Sequence, residues 1–239
     1  MAKKNTKKVA SKSPTSNRMY ASDYRKKAAT IVKPMKGDFA VTYFVYFVII
    51  AAIGGVIAAL SFIDPMQVTP SGEITGSGVG TLISSALAGL FTLLTSGAFA
   101  YSLIYLSKQA RWKHEKPKVS GIFYGFKERY TQSLGIYIVR SIFTVLWTLL
   151  LIIPGIIKSY AYSMSLYIAL DNPNMTTLDC ITESRKLMKG HKWQLFCLEI
   201  SYIGWILLTI LTLGILSFWV MPKFNQAHYE FYLHISNKD

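Results

Sequence analysis

Five long stretches of this chain carry no charged side chain, and almost every Lys, Arg, Asp and Glu falls between them. The uncharged blocks are 39–63, 81–107, 141–157, 159–170 and 200–222. The first two run 25 and 27 residues, longer than the roughly 20 that a helix needs to cross hydrocarbon. A helix lying on a soluble core must show water one polar face, and these show none. The pattern predicts an all-α fold, a polytopic membrane helix bundle.

Turn signals divide the later blocks. Pro154-Gly155 reads as a tight turn that splits the region into 134–153 and 156–170, a down-and-back pair. A single crossing there would leave Arg185, Lys186, Lys189 and Lys192 on the outer side, which insertion disfavours. Residues 193–212 give 20 positions, about 30 Å of helix, before Leu213-Gly214 offers a turn and 215–235 returns. The expectation is about six transmembrane helices arranged as three hairpins: 39–63 with 81–107, 134–153 with 156–170, and 193–212 with 215–235. Each hairpin follows an amphipathic or basic helix on the cytoplasmic surface. Residues 20–235 form a single membrane domain, flanked by a basic cytoplasmic tail (1–19) too polar to fold and a short tail (236–239).

Charge fixes the orientation. The net charge is +14, and 51% of residues are hydrophobic. Residues 1–38 hold eleven Lys or Arg, 108–118 hold five and 185–192 hold four, so twenty of twenty-six lie in three segments assigned to the cytoplasm. Segment 64–80 has Asp64 and Glu73 and no basic residue, and is assigned outward. Both termini are then cytoplasmic, and the location is the cytoplasmic membrane. The basic tail resembles a presequence, but the block after it is long and ends in no small-residue cleavage pattern, so it reads as a retained first helix. The expected partners are the bilayer, with anionic lipid at its inner leaflet, and a membrane protein or a second copy of the chain. No nucleic-acid partner is expected.

Met35-Lys36-Gly37 and Met188-Lys189-Gly190 each follow a basic stretch, and Phe126-Lys127-Glu128-Arg129 holds a similar place before the middle hairpin. Arg129 to Pro154 and Lys189 to Gly214 are both 25 residues, an offset of 60 that reads as an internal repeat of surface helix plus hairpin. Ordinary basic flanking of membrane helices is the competing explanation. The helix before the third hairpin is expected to start near Asp171, with Asn172 as cap and Pro173 in its first turn. Met175, Leu178, Ile181 and Met188 form its apolar stripe. Such a helix either lies in the lipid interface or packs on the cytoplasmic ends of the bundle. Gly54, Gly55, Ala58 and Ala59 facing Ser85, Gly89, Ser96 and Gly97 predict close packing within the first hairpin or a seam between two copies.

Catalytic chemistry is sparse. Cys180 and Cys197 are too few for a disulfide framework and are expected to be reduced. His114, His191, His228 and His234 lack ligand spacing, and Gly76, Gly78 and Gly80 are followed by no Lys-Ser/Thr. No serine elbow or H-E-x-x-H occurs. The reading assigns no catalytic residue, no cofactor and no metal, and treats the protein as nonenzymatic. Polarity at membrane depth stands out instead, because it is costly in lipid and faces a bundle interior or water. Arg140 and Glu199 map to like depth, either as an intramembrane pair or as separate groups reaching the inner surface. Lys223, Asn225, His228 and Glu230 on the last helix, with Tyr160, Ser163 and Tyr167 on the fourth, form a candidate polar cleft. The alternative is a last helix that leaves the membrane at Pro222.

Arg185-Lys186-Leu187-Met188-Lys189-Gly190, Leu195-Phe196, Ile203-Gly204-Trp205, Leu211-Thr212-Leu213-Gly214 and Met221-Pro222 resemble an uncharacterised family of bacterial integral membrane proteins, domain of unknown function nine-seven-five. Arg25-Lys26-Lys27 with Lys36-Gly37 is similar to its opening segment, and the likeness spans about residues 20–233. The departures are Lys223-Phe224 after Met-Pro and the longer basic tail. The resemblance implies a multipass membrane protein and supplies no activity, ligand or catalytic residue. Two functions remain in view: a scaffold or accessory subunit that binds a membrane partner or lipid, and a transporter or permeability component, including resistance or immunity to a membrane-active peptide.

Overall fold

The computed structural model describes residues 19–63, 67–68, 70–72 and 74–238. Most of the basic tail (1–19), together with Asp64 and Glu73, lies outside the described residues. Eleven α-helices carry the fold among those described: α1 (Ala21–Val32), α2 (Lys36–Ala59), α3 (Val79–Trp112), α4 (Tyr124–Lys127), α5 (Tyr130–Leu150), α6 (Ile152–Ala161), α7 (Ser165–Asp171), α8 (Thr177–Leu187), α9 (Lys192–Ile200), α10 (Ile203–Leu211) and α11 (Ser217–Ile235). A two-residue antiparallel ladder, β1 (Gln67–Val68) with β2 (Ile74–Thr75), sits between α2 and α3.

Four helical stretches are long and apolar enough to cross a membrane: Ala21–Phe62, Val79–Trp112, Tyr130–Leu150 and Lys192–Leu211. Six continuous spans are not what the fold presents. The helix expected over 156–170 is broken into α6 and α7 by a turn at Tyr162–Met164, and α11 carries too much polarity to count by composition. The stretch expected over 193–212 is likewise two helices, α9 and α10, interrupted at Ser201 and Tyr202.

Both breaks are held by side chains from elsewhere in the chain. At the first, the Ser165 N–H turns to the Tyr162 carbonyl, which releases the carbonyl of Ala161 from its usual helical partner. The buried Ser184 hydroxyl on α8 donates to that carbonyl at 2.9 Å and accepts from the Met164 N–H at 3.1 Å. At the second, Arg25 on α1 donates through Nη1 to the Ser201 carbonyl at 3.1 Å. A backbone group freed inside a bundle costs free energy unless it is paired, and α8 and α1 supply the pairing.

The turns follow local chemistry. Leu151 adopts extended backbone (φ −160°) and ends α5, Pro154 falls in the first turn of α6 where its missing N–H is harmless, and Gly155 lies so close to Thr148 that a Cβ would stand 2.3 Å from its hydroxyl. Leu213 and Gly214 both have positive φ, 50° and 87°, which closes the turn between α10 and α11. Pro34 stands in a 3-10 turn between α1 and α2. Tyr24 of α1 meets Phe231 and His234, while Tyr43 bonds Asn225. Nineteen residues of straight helix would span about 28 Å against about 9 Å for the six residues from Asn225 to Phe231, so the chain bends at this turn.

α8 departs from its expected start. It begins at Thr177 rather than near Asp171, because Thr176 accepts the Asp179 N–H (3.2 Å) and its hydroxyl bonds the Asp179 carboxylate (2.6 Å). Its buried face is Cys180, Ile181 and Ser184, and Leu178 points outward. At the small residues expected to close the first hairpin, Gly54, Gly55 and Gly89 have open space beside them, and the close approach within that hairpin comes at Gly80 instead, where a Cβ would stand 2.6 Å from the Leu60 carbonyl. Gly97 makes its tight approach to a different helix, with its virtual Cβ 2.6 Å from the Ser133 carbonyl of α5.

Burial is uneven along the helices. Val56, Phe62, Leu82, Leu90, Leu149, Ile153, Leu207 and Leu211 are exposed on one half of the molecule. The packed core fills the other half, where Tyr24, Tyr101, Met164, Leu195, Leu198, Tyr229, Phe231 and Tyr232 form one cluster. α11 runs through that cluster, and its buried residues continue past Pro222 to Ile235, so it does not leave the bundle at the proline.

Ser184→Ala would leave both the Ala161 carbonyl and the Met164 N–H unpaired in a closed site. A loss of about 1–3 kcal/mol is expected, read as a lower midpoint in thermal unfolding of the detergent-solubilised protein, whereas Ser184→Thr, which keeps the hydroxyl, should lose less.

Candidate functional site

Three helices converge on Glu199. Tyr160 of α6 donates its hydroxyl to Oε2 at 2.5 Å, and Nε2 of His228 on α11 lies 3.8 Å from Oε1. The rings of Phe196 and Phe224 flank the pair, against Tyr160 at 6.1 Å and against His228 at 4.4 Å. Helical spacing explains the first of these neighbours: Phe196 and Glu199 are three residues apart and so share a face of α9. Arg140 of α5 is close enough to Glu199 and Tyr167 to act on them electrostatically, but among the described residues it makes no ion contact within 4.0 Å. The sequence-level pair is thus a longer-range relation, and the groups that touch Glu199 are Tyr160 and His228. The phenol and the carboxylate form a hydrogen bond across α6 and α9, and the His228 imidazole stands beside it at 3.8 Å, beyond hydrogen-bond reach, so the cluster places three proton-bearing groups together.

The other residues of the expected cleft occupy separate environments. Glu230 is wholly buried and faces α3, where Arg111 Nε lies 3.0 Å from Oε1 as an ion pair rather than a hydrogen bond, and Gln226 donates to the same oxygen at 3.2 Å. Asn225 donates to the Tyr43 hydroxyl of α2 at 2.6 Å. Tyr167 packs its ring against Tyr229 and Tyr232. The Ser163 hydroxyl caps the Tyr160 carbonyl at 2.9 Å. Lys223 faces away from Glu230, toward α1 and α10, with its ammonium 5.9 Å from the Trp205 ring centre. α7 meets α11 through the Tyr167 ring, and α6 is linked to α11 through Glu199 of α9, between Tyr160 and His228.

Asp171 escaped notice because it stands at the end of a helix with no charged neighbour in sequence. The fold makes it a junction: Lys108 of α3 reaches Oδ1 at 2.7 Å, and the Tyr232 hydroxyl (2.9 Å) and Lys238 (2.8 Å) share Oδ2. Burial pushes its pKa up, but the hydrogen bonds from Lys108, Lys238 and Tyr232 outweigh that and hold the carboxyl below its ordinary range. Cys180 is free and buried, and burial, with Asp179 nearby, pushes its thiol up to about 11, which makes it a packing residue rather than a nucleophile. Among the described residues no three His, Cys, Asp or Glu side chains gather as a metal site.

Residues 148–239 match the model of a family described as a protein of unknown function (DUF975). No curated protein and no solved structure matches the chain. The matched segment contains Tyr160, Asp171, Glu199, Lys223, His228 and Glu230, while Lys108 and Arg111, the partners of Asp171 and Glu230, lie before it.

Asp171→Asn would keep the shape and remove the charge from two lysine contacts; because both lysines are partly exposed, a loss of about 1 kcal/mol is expected. The pH dependence has a definite sign. A carboxyl held below its unfolded value stabilises the fold fully above that value, about 3.9, and the contribution is lost as pH falls through the lower folded-state value. Thermal midpoints measured between pH 3 and 7 should fall on the acid side for the wild type and show a smaller acid-side fall for Asp171→Asn.

Proposed function

We propose that this chain is a multipass protein of the cytoplasmic membrane that works without catalysis, as a scaffold or accessory subunit for another membrane protein or for lipid. The bundle would cross six times with both termini cytoplasmic, α6–α7 and α11 completing the crossings that the four long apolar stretches begin. The uneven Lys and Arg distribution supports this orientation. One observation carries the functional reading. The ionisable groups buried between helices are committed to fixed partners: Glu230 to Arg111, Asp171 to Lys108 and Lys238, and Glu199 to Tyr160. Groups so engaged hold helices in register, which is what a docking platform needs.

A second reading draws on the Glu199 cluster. Tyr160, Glu199 and His228 form a chain of proton-bearing groups across three helices, as a transporter or permeability component, including one that confers resistance to a membrane-active peptide, would use.

Crosslinking in native membranes, followed by affinity purification and mass spectrometry, separates the two. The scaffold reading expects one membrane protein in stoichiometric amount, and its retention in a Glu199→Gln variant. Recovery of the chain alone, with a phenotype that vanishes in Glu199→Gln at unchanged membrane abundance, would replace it with the transport reading.

A further inference from the structure

A groove of about 330 Å³ lies between α1, α10 and α11, bordered by Ser22, Arg25, Lys26, Tyr202, Trp205 and Lys223. Its charge is all of one sign. Three cations approach it, and none has a carboxylate within ion-pair distance among the described residues. The nearest acids in sequence are engaged elsewhere: Asp23 accepts the Tyr20 N–H at 2.9 Å, and Glu199 is bound by Tyr160. Cations gathered without counter-charge repel one another, and an anion between them removes that cost.

The cations are also positioned. The Arg25 guanidinium stacks 5.5 Å from the centre of the buried Tyr202 ring and spends one N–H on the Ser201 carbonyl, which leaves its remaining donors for a ligand. Lys223 stands over Trp205 with its ammonium making no hydrogen bond among the described residues. The Ser22 hydroxyl on the rim is turned to the Asp23 carboxylate at 3.5 Å, so the donors the groove offers are those of the cations. The groove has one charged wall, on α1, and one apolar wall. Trp205 is 42% exposed, and Leu208, one turn along the same face of α10, is also exposed on the surface that would meet hydrocarbon. Tryptophan beside clustered Lys and Arg is the composition of a membrane interface, and a volume near 330 Å³ is at the small end of ligand sites.

We propose that this groove is a binding site for a phosphate oxyanion, supplied by the headgroup of an anionic membrane lipid whose acyl chains continue along α10. Arg25 is the bidentate contact, and Lys26 and Lys223 neutralise the charge. The proposal rests on the membrane reading above but not on the scaffold role, because lipid retention and partner recovery are read independently.

The test uses the full chain purified in detergent. Native mass spectrometry after addition of phosphatidylglycerol or phosphatidylcholine reads lipid retention, and inorganic phosphate and glycerol 3-phosphate serve as soluble competitors. Wild type should retain phosphatidylglycerol over phosphatidylcholine, whose quaternary amine meets the same cations. The Arg25→Gln/Lys223→Gln double variant should retain it roughly 30-fold less, as expected for two lost surface cations. Lys186→Gln on α8 should match wild type. Lys223→Gln alone, which removes no hydrogen bond, gives a partial loss if the double variant does not fold. Displacement by millimolar glycerol 3-phosphate would support the oxyanion site with a soluble source. Equal retention of the two lipids by wild type, or indifference of retention to both substitutions, would overturn the proposal.

Discussion

A polypeptide inside a bilayer has no water to satisfy its backbone, so every interruption of a helix must find a partner within the protein. This chain interrupts two of its apolar stretches and meets the requirement with a side chain each time. Ser184 bridges the gap between α6 and α7, and Arg25 reaches the gap between α9 and α10. Both residues belong to helices rich in polar positions, α8 and α1, which on sequence alone look like accessories resting on the bundle. They are structural members. Without them the middle of the fold would carry unpaired backbone groups, and the contacts that depend on the broken helices, Tyr160 to Glu199 and Asp171 to Lys108, would lose their placement.

The molecule divides into two halves with different physics. One half presents an apolar surface of Val, Leu, Ile and Phe with little enclosed between the helices. The other concentrates the aromatic core and nearly all of the polar pairing, with α11 at its centre. Gln226 and Glu230 are wholly or almost wholly buried on a helix that also presents Lys223 to a cationic groove, so α11 carries structural polarity on one face and a vacant charge on another. A bilayer would cover the first half with hydrocarbon, which suits its apolar side chains. The second half holds the arrangement, and it is where the proposed docking and phosphate recognition belong.

Much of the fold was legible in the sequence. Uncharged blocks located α2 and α3 to within about five residues, and Leu213-Gly214 marked a turn because its backbone preference is local, whereas the turn read at Pro154-Gly155 falls earlier, at Leu151, with both of those residues inside α6. The breaks at Tyr162 and Ser201 were not legible, since the residues that hold them stand 20 or more positions away in sequence. The start of α8 was missed although Thr176 and Asp179 carry a capping signal; Asn172-Pro173 offered a competing one five residues earlier. The polar residues of the last helix stand out in the sequence, but the directions in which they point do not. A helix rotates 100° per residue, so Lys223, Asn225, His228 and Glu230 face different neighbours. Asp171 showed no signal because its three partners come from two distant segments, α3 and the C-terminal end of the chain.

The central claim is that polar side chains at depth bind helices together instead of lining a path for water. Hydrogen–deuterium exchange of the full chain in lipid nanodiscs tests it directly, because backbone exchange needs both water and opening. The account predicts that peptides covering 165–171 and 226–235 exchange as slowly as the membrane-spanning part of α3. Rapid exchange in those two segments, with α3 still protected, would mean a hydrated cleft between α7 and α11 and would contradict the account.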